Sequence, residues 1–507
     1  MTEAAERFFM DPRRRMLAGF VLALSNFMVV LDLTIANVSV PHIAGNLGIT
    51  PDQGTWIITS YAVAEAICVP LTGWLAQRFG TVRLFIWGMI GFGLFSLLCG
   101  LSTTLGMIVA CRIGQGLCGG PLMPMSQTLL MRIFPAEQRA KVMGLWAMTT
   151  LAGPAVGPII GGYISDNWSW HWIFFINLPI AVMCVFSAMV LLRPAETERH
   201  KLPIDFIGLA LLIFWIGCLQ IMLDTGRDHD WFGDPMIVAL AVMAGIGFLV
   251  FIIWELTEEH PIVDLRVFRH IGFTSGVLTL SLCFGAYFAG IVIIPQWLQM
   301  SMGYPAYSAG FVTAFTAMTA IIAAPFAGRA VGKIDVRLLI SGSVIWMGMV
   351  TMWRSGWTST ADFWTLAMPQ VVQGFAMPFF MIPLTTLTLG SVRPEETASA
   401  AGMQSFLRTL AVAISTSIVL TGWGNGQRTA RNEMVSALDP GVGSQLAGSG
   451  LSAQQTPQMI ANLVDQQATI LSMNHVFFVA ALVLFLAGAL VWFAPKPTGR
   501  VDMSAAH

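Results

Sequence analysis

Charge is what this 507-residue sequence has least of. Asp, Glu, Lys and Arg together make up 10% of it, while hydrophobic residues make up 56%. Soluble domains carry roughly a quarter charged residues, so a chain this poor in charge needs lipid against most of its outside. The net charge is −1, and no basic cluster of the kind that grips nucleic acid is present. The seven cysteines all lie in apolar stretches, without CxxC or Cys/His ligand spacing. They read as small buried hydrophobes, not as metal ligands or disulfide partners. HExxH, GxSxG and paired ligand sets are lacking too, so the sequence points to no enzyme, no metal and no cofactor. Two motifs mislead. Gly114 to Gly119 fits GxGxxG, but no strand precedes it and it lies within an apolar run. Gly328 to Lys333 resembles a phosphate-binding loop, but is one residue short and has no Ser or Thr after the Lys. Without ATP machinery, any pumping must draw on an ion gradient.

What the sequence has in plenty is long apolar runs. Fourteen are long enough to cross a bilayer as helices, at roughly 16–37, 54–75, 82–100, 105–130, 141–164, 172–192, 205–224, 235–255, 273–298, 308–328, 336–354, 363–389, 399–420 and 476–495. The first follows Arg13, Arg14 and Arg15 like a signal peptide, but its length and the spans after it mark it as a span that stays attached. With the N-terminus inside and the spans alternating, twenty of the 26 Lys and Arg residues fall on the inner side. Four, including Arg354, fall outside, and Arg112 and Arg408 fall within spans. This asymmetry places both termini in the cytoplasm. Most connections are short. The outer stretch 424–474 is the exception: its middle is rich in Gly, Ser and Gln, and its 457–471 part is weakly amphipathic. It reads as a flexible connector or as a docking element for a partner outside the membrane.

The chain also repeats itself. Gly73 to Arg78 is echoed by Gly328 to Lys333, at an offset of 255 residues, and Arg112 to Gly116 by Gln370 to Gly374, at 258. Pro121 and Pro124 have counterparts in Pro378 and Pro383. The expected organisation is a six-helix half (1–200), two inserted helices (201–260) and a second six-helix half (261–507) carrying the 424–474 loop. Repeated halves around a central cavity are the layout of rocking secondary transporters.

Ionisable groups inside spans are costly and are functional candidates by default. Asp32 lies well inside the first span. A carboxylate in low dielectric can take up and release a proton near neutral pH; the alternative is a structural carboxylate held by Thr34 or by an Arg of another helix. Glu65 sits mid-span in the second, as a second protonation site, a contact for a cationic substrate, or a neutral hydrogen-bonded side chain. Arg112, in the fourth, cannot shed its charge. Asp32 is its natural partner, and protonation of Asp32 would then release Arg112; backbone carbonyls are the other possibility. Arg408 is a secondary candidate of the same type. In the fifth span, Gly153, Gly157 and Gly161 recur every four residues, followed by Gly162. Such spacing gives a smooth face for close helix approach, while Pro154 and Pro158 bend the helix. The segment suits either a gate or plain packing.

These residues together resemble the fourteen-span drug:proton antiporters of the major facilitator superfamily, the EmrB/QacA branch. The likeness rests on Leu31 to Asn37 with Pro41, on the turn containing Gly73, Arg78, Gly80 and Arg83, on Arg112 with Gln115 and Gly116, on Gly153 to Gly162, and on Trp170 to Pro179. The resemblance implies proton-driven export of hydrophobic or amphipathic toxic compounds across a bacterial inner membrane. It also implies proton-coupling roles for Asp32 and Arg112. A periplasmic membrane fusion protein and an outer-membrane channel are the implied partners, and the long outer loop would then have a docking role. One departure is that Gln77 stands where the superfamily turn usually carries Asp, so the acidic member of its charge latch is missing. An importer or exporter of one metabolite or fatty acid, and a non-transporting receptor on the same fold, are the competing readings.

Overall fold

Helices account for nearly every residue of the computed structural model, which describes residues 11–199, 203–227, 229–331, 333–437 and 455–494. In chain order the rods are α1 (Pro12–Leu47), α2 (Pro51–Cys68, continued past a bend by Thr72–Phe79), α3 (Thr81–Gly100), α4 (Leu105–Gly119, continued by Leu122–Ile133), α5 (Ala136–Asn167), α6 (Trp172–Phe175 and Asn177–Leu191), α7 (Phe206–Thr225) and α8 (Pro235–Thr257). The second series comprises α9 (Ile271–Met300), α10 (Ala306–Ala330), α11 (Val336–Arg354), α12 (Phe363–Gly390), α13 (Thr397–Ala437) and α14 (Gln455–Leu490). Twelve helices are long and apolar enough to span a membrane by themselves, and the two pieces of α2, bent by 61°, add a thirteenth. At 32 residues α5 has ample length, with Gly, Pro and a polar start diluting its apolar content. The set is consistent with fourteen spans in a multi-pass membrane protein.

Local chemistry sets the ends of these rods. Gly48 takes the left-handed conformation that closes α1, and Thr50 and Gln53 form a reciprocal capping box that opens α2. Pro70 stands at the α2 bend, where a missing N–H breaks the helical ladder. Asp205, Asp234, Asp335 and Asp362 accept backbone N–H bonds at the starts of α7, α8, α11 and α12. Part of the sparse acidic complement is thus spent on capping helix ends.

The packing repeats with the sequence. In the first series α1 packs on α5 and α6, α2 on α4, and α3 on α4 and α6. In the second, α9 packs on α13 and α14, α10 on α12, and α11 on α12 and α14. The two series meet through α5 with α10 and through α2 with α13. The inserted α7 and α8 pack on each other, and α7 alone reaches both series. Its end lies between α2 and α13: Asp224 is hydrogen-bonded to Thr59, and Ser417 Oγ donates to Leu223 O at 3.0 Å.

The 424–474 stretch departs from the expected loop. Helix α13 continues to Ala437 and α14 begins at Gln455, so both flanks are helical and the Gly/Ser/Gln-rich middle falls outside the described residues. The flanks hold each other: Trp423 Nε1 donates to Thr469 O, Ser472 Oγ to Trp423 O at 2.7 Å, and Arg431 pairs with Asp465 at 2.6 Å. Glycines at 422, 424 and 426 made this region look like coil. Here Gly426 admits Ser472, whose Oγ lies 2.4 Å from where a Cβ would stand.

Candidate functional site

The most deeply buried charges form one knot between α1, α4 and α6. Arg112 Nη1 lies 2.6 Å from Asp32 Oδ2, and both side chains are fully buried. Asp32 Oδ1 accepts from Gln115 Nε2 at 3.0 Å and from Asn177 Nδ2 at 2.7 Å. Arg112 also donates to Gln115 Oε1 and, through Nε, to the Ile57 carbonyl. Its guanidinium stacks over the Tyr61 ring at 4.2 Å. Burying an ion pair is favourable only when its spare lone pairs and protons are also satisfied, and here Asp32 receives three donors. Removing either charge would strand the other, at a cost of about 3–5 kcal/mol. Thr34 does not hold Asp32; its hydroxyl bonds to the carbonyls of Val30, Leu31 and Gly153.

Asn177 had no role of its own in the sequence reading, although it lies in the Trp170 to Pro179 motif. It begins the longer piece of α6, and its amide also donates to Ser96 Oγ at 3.0 Å. The glycines of the GxGxxG match prove to be contact points. Added Cβ atoms would stand 2.5 Å from Tyr61 O at Gly116 and 2.3 Å from a Phe95 ring carbon at Gly114. Tyr61 and Phe95 are thereby packed tightly onto α4.

The glycine face of α5 lies against α1 on either side of Asp32. A Cβ on Gly153 would come 2.4 Å from Val30, on Gly157 2.1 Å from Thr34 Oγ1, and on Gly161 2.8 Å from Ile35. Gly162 faces open space. The side chains of Pro154 and Pro158 lie outside the described residues. Glu65 (α2) and Arg408 (α13) are buried and within electrostatic range of each other, so this pairing crosses between the two series. Arg408 also lies over the Phe284 ring at 5.5 Å.

The turn motif lies where α2 meets α13. Gly73 touches Ser399, with a built Cβ only 2.7 Å from Ser399 Cα, and Gly402 similarly admits Val69 O. Gly80 has φ +90°, which only glycine adopts readily, and a Cβ there would strike Glu196. Glu196 takes the place of the acid missing at Gln77. It accepts from the N–H groups of Val82 and Arg83 at the start of α3 and lies 3.9 Å from Arg83 Nε. Arg78 stacks on Trp74 at 5.2 Å. Gln77 instead lines a cleft of about 840 Å³ with Arg132, Arg139, Glu198 and Glu395. Among the described residues, no group of three or more His, Cys, Asp or Glu could hold a metal ion.

Residues 22–416 match the family model described as Major Facilitator Superfamily. The chain is 44% identical to the Multidrug export protein EmrB of Escherichia coli (strain K12) over 485 residues, covering 94% of this chain and 95% of that one. It is 39% identical to the Fatty acid resistance protein FarB of Neisseria gonorrhoeae over 482 residues, covering 94% and 95%. The solved structure of the proton:xylose symporter XylE superposes with a TM-score of 0.60 at 12% identity, covering 96% of this chain and 97% of that one, a likeness of fold alone.

Proposed function

Because this chain belongs to the Major Facilitator Superfamily, we propose that it is a proton-driven antiporter exporting hydrophobic and amphipathic toxic compounds. The observation that carries the proton coupling is the fully buried Asp32–Arg112 pair with its amide partners. The likeness to EmrB over nearly the whole chain supports multidrug export as the activity. The Lys/Arg asymmetry supports a cytoplasmic face carrying both termini and the Arg78–Arg83 turn. The repeated packing supports a 6+2+6 division, with α7 and α8 inserted between rocking halves.

In this mechanism an ionised Asp32 ties α1 to α4 and α6. A proton from outside neutralises it, and the attraction for Arg112 falls away. Arg112 keeps Gln115 and the Ile57 carbonyl as acceptors but loses its anion, and the stranded guanidinium favours a rearrangement of the helices around it. Gly153, Gly157 and Gly161 let α1 slide along α5 as the tie changes. Glu65 and Arg408 act in the same cycle as a charge contact between halves, broken and remade as the inner side opens. Glycines 73 and 402 and the Glu196-capped turn, with Arg78 and Arg83, close that side. The paired extensions of α13 and α14 support the tripartite assembly. At 41 residues, α13 reaches about 60 Å, roughly twice the hydrocarbon thickness, and so with the start of α14 offers a periplasmic fusion protein a helical surface below an outer-membrane channel. The setting is accordingly a bacterial inner membrane.

The test is proton flux. Protein in liposomes, with an imposed pH gradient and a pH-sensitive dye inside, is given a panel of lipophilic drugs, uncoupler-like acids and fatty acids, with protein-free liposomes subtracted. Substrate-dependent flux is expected, and is lost in Asp32→Asn protein shown to be folded. Full uphill transport by that variant would remove Asp32 from the mechanism. The likeness to FarB favours one narrower reading, a proton-coupled transporter of a single acid class; flux with fatty acids and with no drug of the panel would select it.

A further inference from the structure

The repeat offset of 255–258 residues places Tyr287 opposite Asp32, and Gln370 and Gln373 opposite Arg112 and Gln115. The second half therefore keeps the amide of Gln115, has an amide in place of Arg112, and has no carboxylate at the position equivalent to Asp32. It nevertheless holds a buried cation. Arg354, the last residue of α11, is 3% exposed. Its Nη2 donates to Gln370 Oε1 at 2.7 Å, and Thr316 donates to the same oxygen at 3.2 Å. Its Nη1 lies 3.6 Å from where a Cβ on Gly290 would stand, so it points inward onto α9. Tyr287, also on α9, is within electrostatic range.

Among the described residues, no carboxylate pairs with Arg354. Its Nε, the Gln370 Nε2 and both polar atoms of Gln373 are buried without a hydrogen-bond partner. A guanidinium in low dielectric without an anion is unfavourable, and buried donors are ordinarily satisfied. In the first half the protein supplies its own anion, one that a proton can neutralise. In the second half the donors are assembled and the anion is left out.

We infer that Arg354, Gln370 and Gln373 form a substrate site for the acid group of an amphipathic organic anion, a carboxylate on an apolar body. A planar carboxylate matches the fork of a guanidinium, and Ile294 and Phe477 lie with Arg354 around Gly290, so apolar side chains border the guanidinium. This rests on the antiporter reading for the route by which the site opens, since the group is buried in the conformation seen here. The two halves then divide the work: one carries the proton and the other the acid head group.

The experiment measures equilibrium binding of radiolabelled decanoate to the full chain in lipid nanodiscs. Wild-type protein is expected to bind it, with displacement by unlabelled decanoate but not by decyltrimethylammonium or by chloride. Arg354→Gln is expected to weaken binding roughly ten- to hundredfold, the loss of one charge-assisted pair, and Arg354→Lys to retain part of it. Arg354→Gln should also melt no lower than wild type, because it removes an unpaired charge, while the stabilisation that decanoate gives the wild type disappears. A merely structural Arg354 would instead lower the melting temperature and leave decanoate binding unchanged in the folded fraction. That result, absence of binding by folded wild-type protein, or displacement by chloride, would overturn the site. Proton flux is measured in parallel in liposomes: decanoate binding by wild-type protein without coupled flux counts against the antiporter reading alone, and coupled flux with binding unchanged in Arg354→Gln counts against this site alone.

Discussion

Adding one methyl group at Gly157 tests whether α1 must ride tightly on α5. An Ala Cβ there would stand 2.1 Å from Thr34 Oγ1, 2.7 Å from Thr34 Cβ and 3.3 Å from the Ile35 backbone nitrogen. Rotating Thr34 would move the hydroxyl and break its bonds to Val30, Leu31 and Gly153, yet the Thr34 Cβ contact would persist. The backbones must therefore part by roughly 1 Å, and overpacking of this kind costs about 1–3 kcal/mol. Retreat of α5 would press Ile159, two residues on, against α10, where it lies 3.6 Å from the place of a Cβ on Gly310. The displacement falls on α1 two residues from Asp32, whose bond to Arg112 is 2.6 Å. Gly157→Ala is expected to lower the melting temperature in nanodiscs by several degrees and to reduce substrate-driven proton flux severalfold. Gly162→Ala, with nothing within 4 Å of its Cβ, is the internal control and should behave as wild type. Equal stability and flux in the two variants would refute the argument.

Asn177→Ala should weaken coupling while preserving the fold. It removes one charge-assisted donor to Asp32, worth about 1.5–3 kcal/mol, and the check is proton flux in parallel with a melting curve. Glu65→Gln and Arg408→Gln should each impair export and combine less than additively, with a coupling of about 0.5–3 kcal/mol; strictly additive effects on transport would show that the two do not act together. Thr59→Cys with Asp224→Cys should cross-link on mild oxidation and halt transport until reductant is added. Continued export by the cross-linked protein would show that α7 and α2 move as one body.

The parts of this protein legible in its sequence are those that lipid dictates. Apolar runs marked the helices because an unpaired backbone cannot sit in hydrocarbon, and Asp32, Glu65, Arg112 and Arg408 stood out because charge in such runs is rare. What escaped notice depends on direction and distance. Arg354 ends its run and was counted with the outer loop, since a one-dimensional profile does not show that the side chain turns back into the protein. Glu196 lies more than a hundred residues from the turn it caps, so the loss of an acid at Gln77 gave no hint of its replacement. Asn177 stood in the Trp170–Pro179 motif without a role of its own, because a sequence does not show that its amide reaches Asp32 on another helix. The extension of α13 past residue 420 was hidden by its glycines, because partners such as Ser472 that make Gly426 useful come from another helix, whereas the α14 side showed itself as the weakly amphipathic 457–471.

The position of α7 has a consequence for cargo that dissolves in fat. Two halves that swing apart leave slots between them facing the bilayer as well as mouths facing water, and an oily passenger could slip out sideways. Along one slot α5 and α10 already touch, as Ile159 against Gly310 shows. Along the other, α2 and α13 meet at Gly73 with Ser399 and at Val69 with Gly402, and the end of α7 is set between the same two helices, held by Thr59 on one side and Ser417 on the other. The inserted pair thus turns a crevice into a walled vessel, and the exit left to a greasy molecule is the mouth that opens on water.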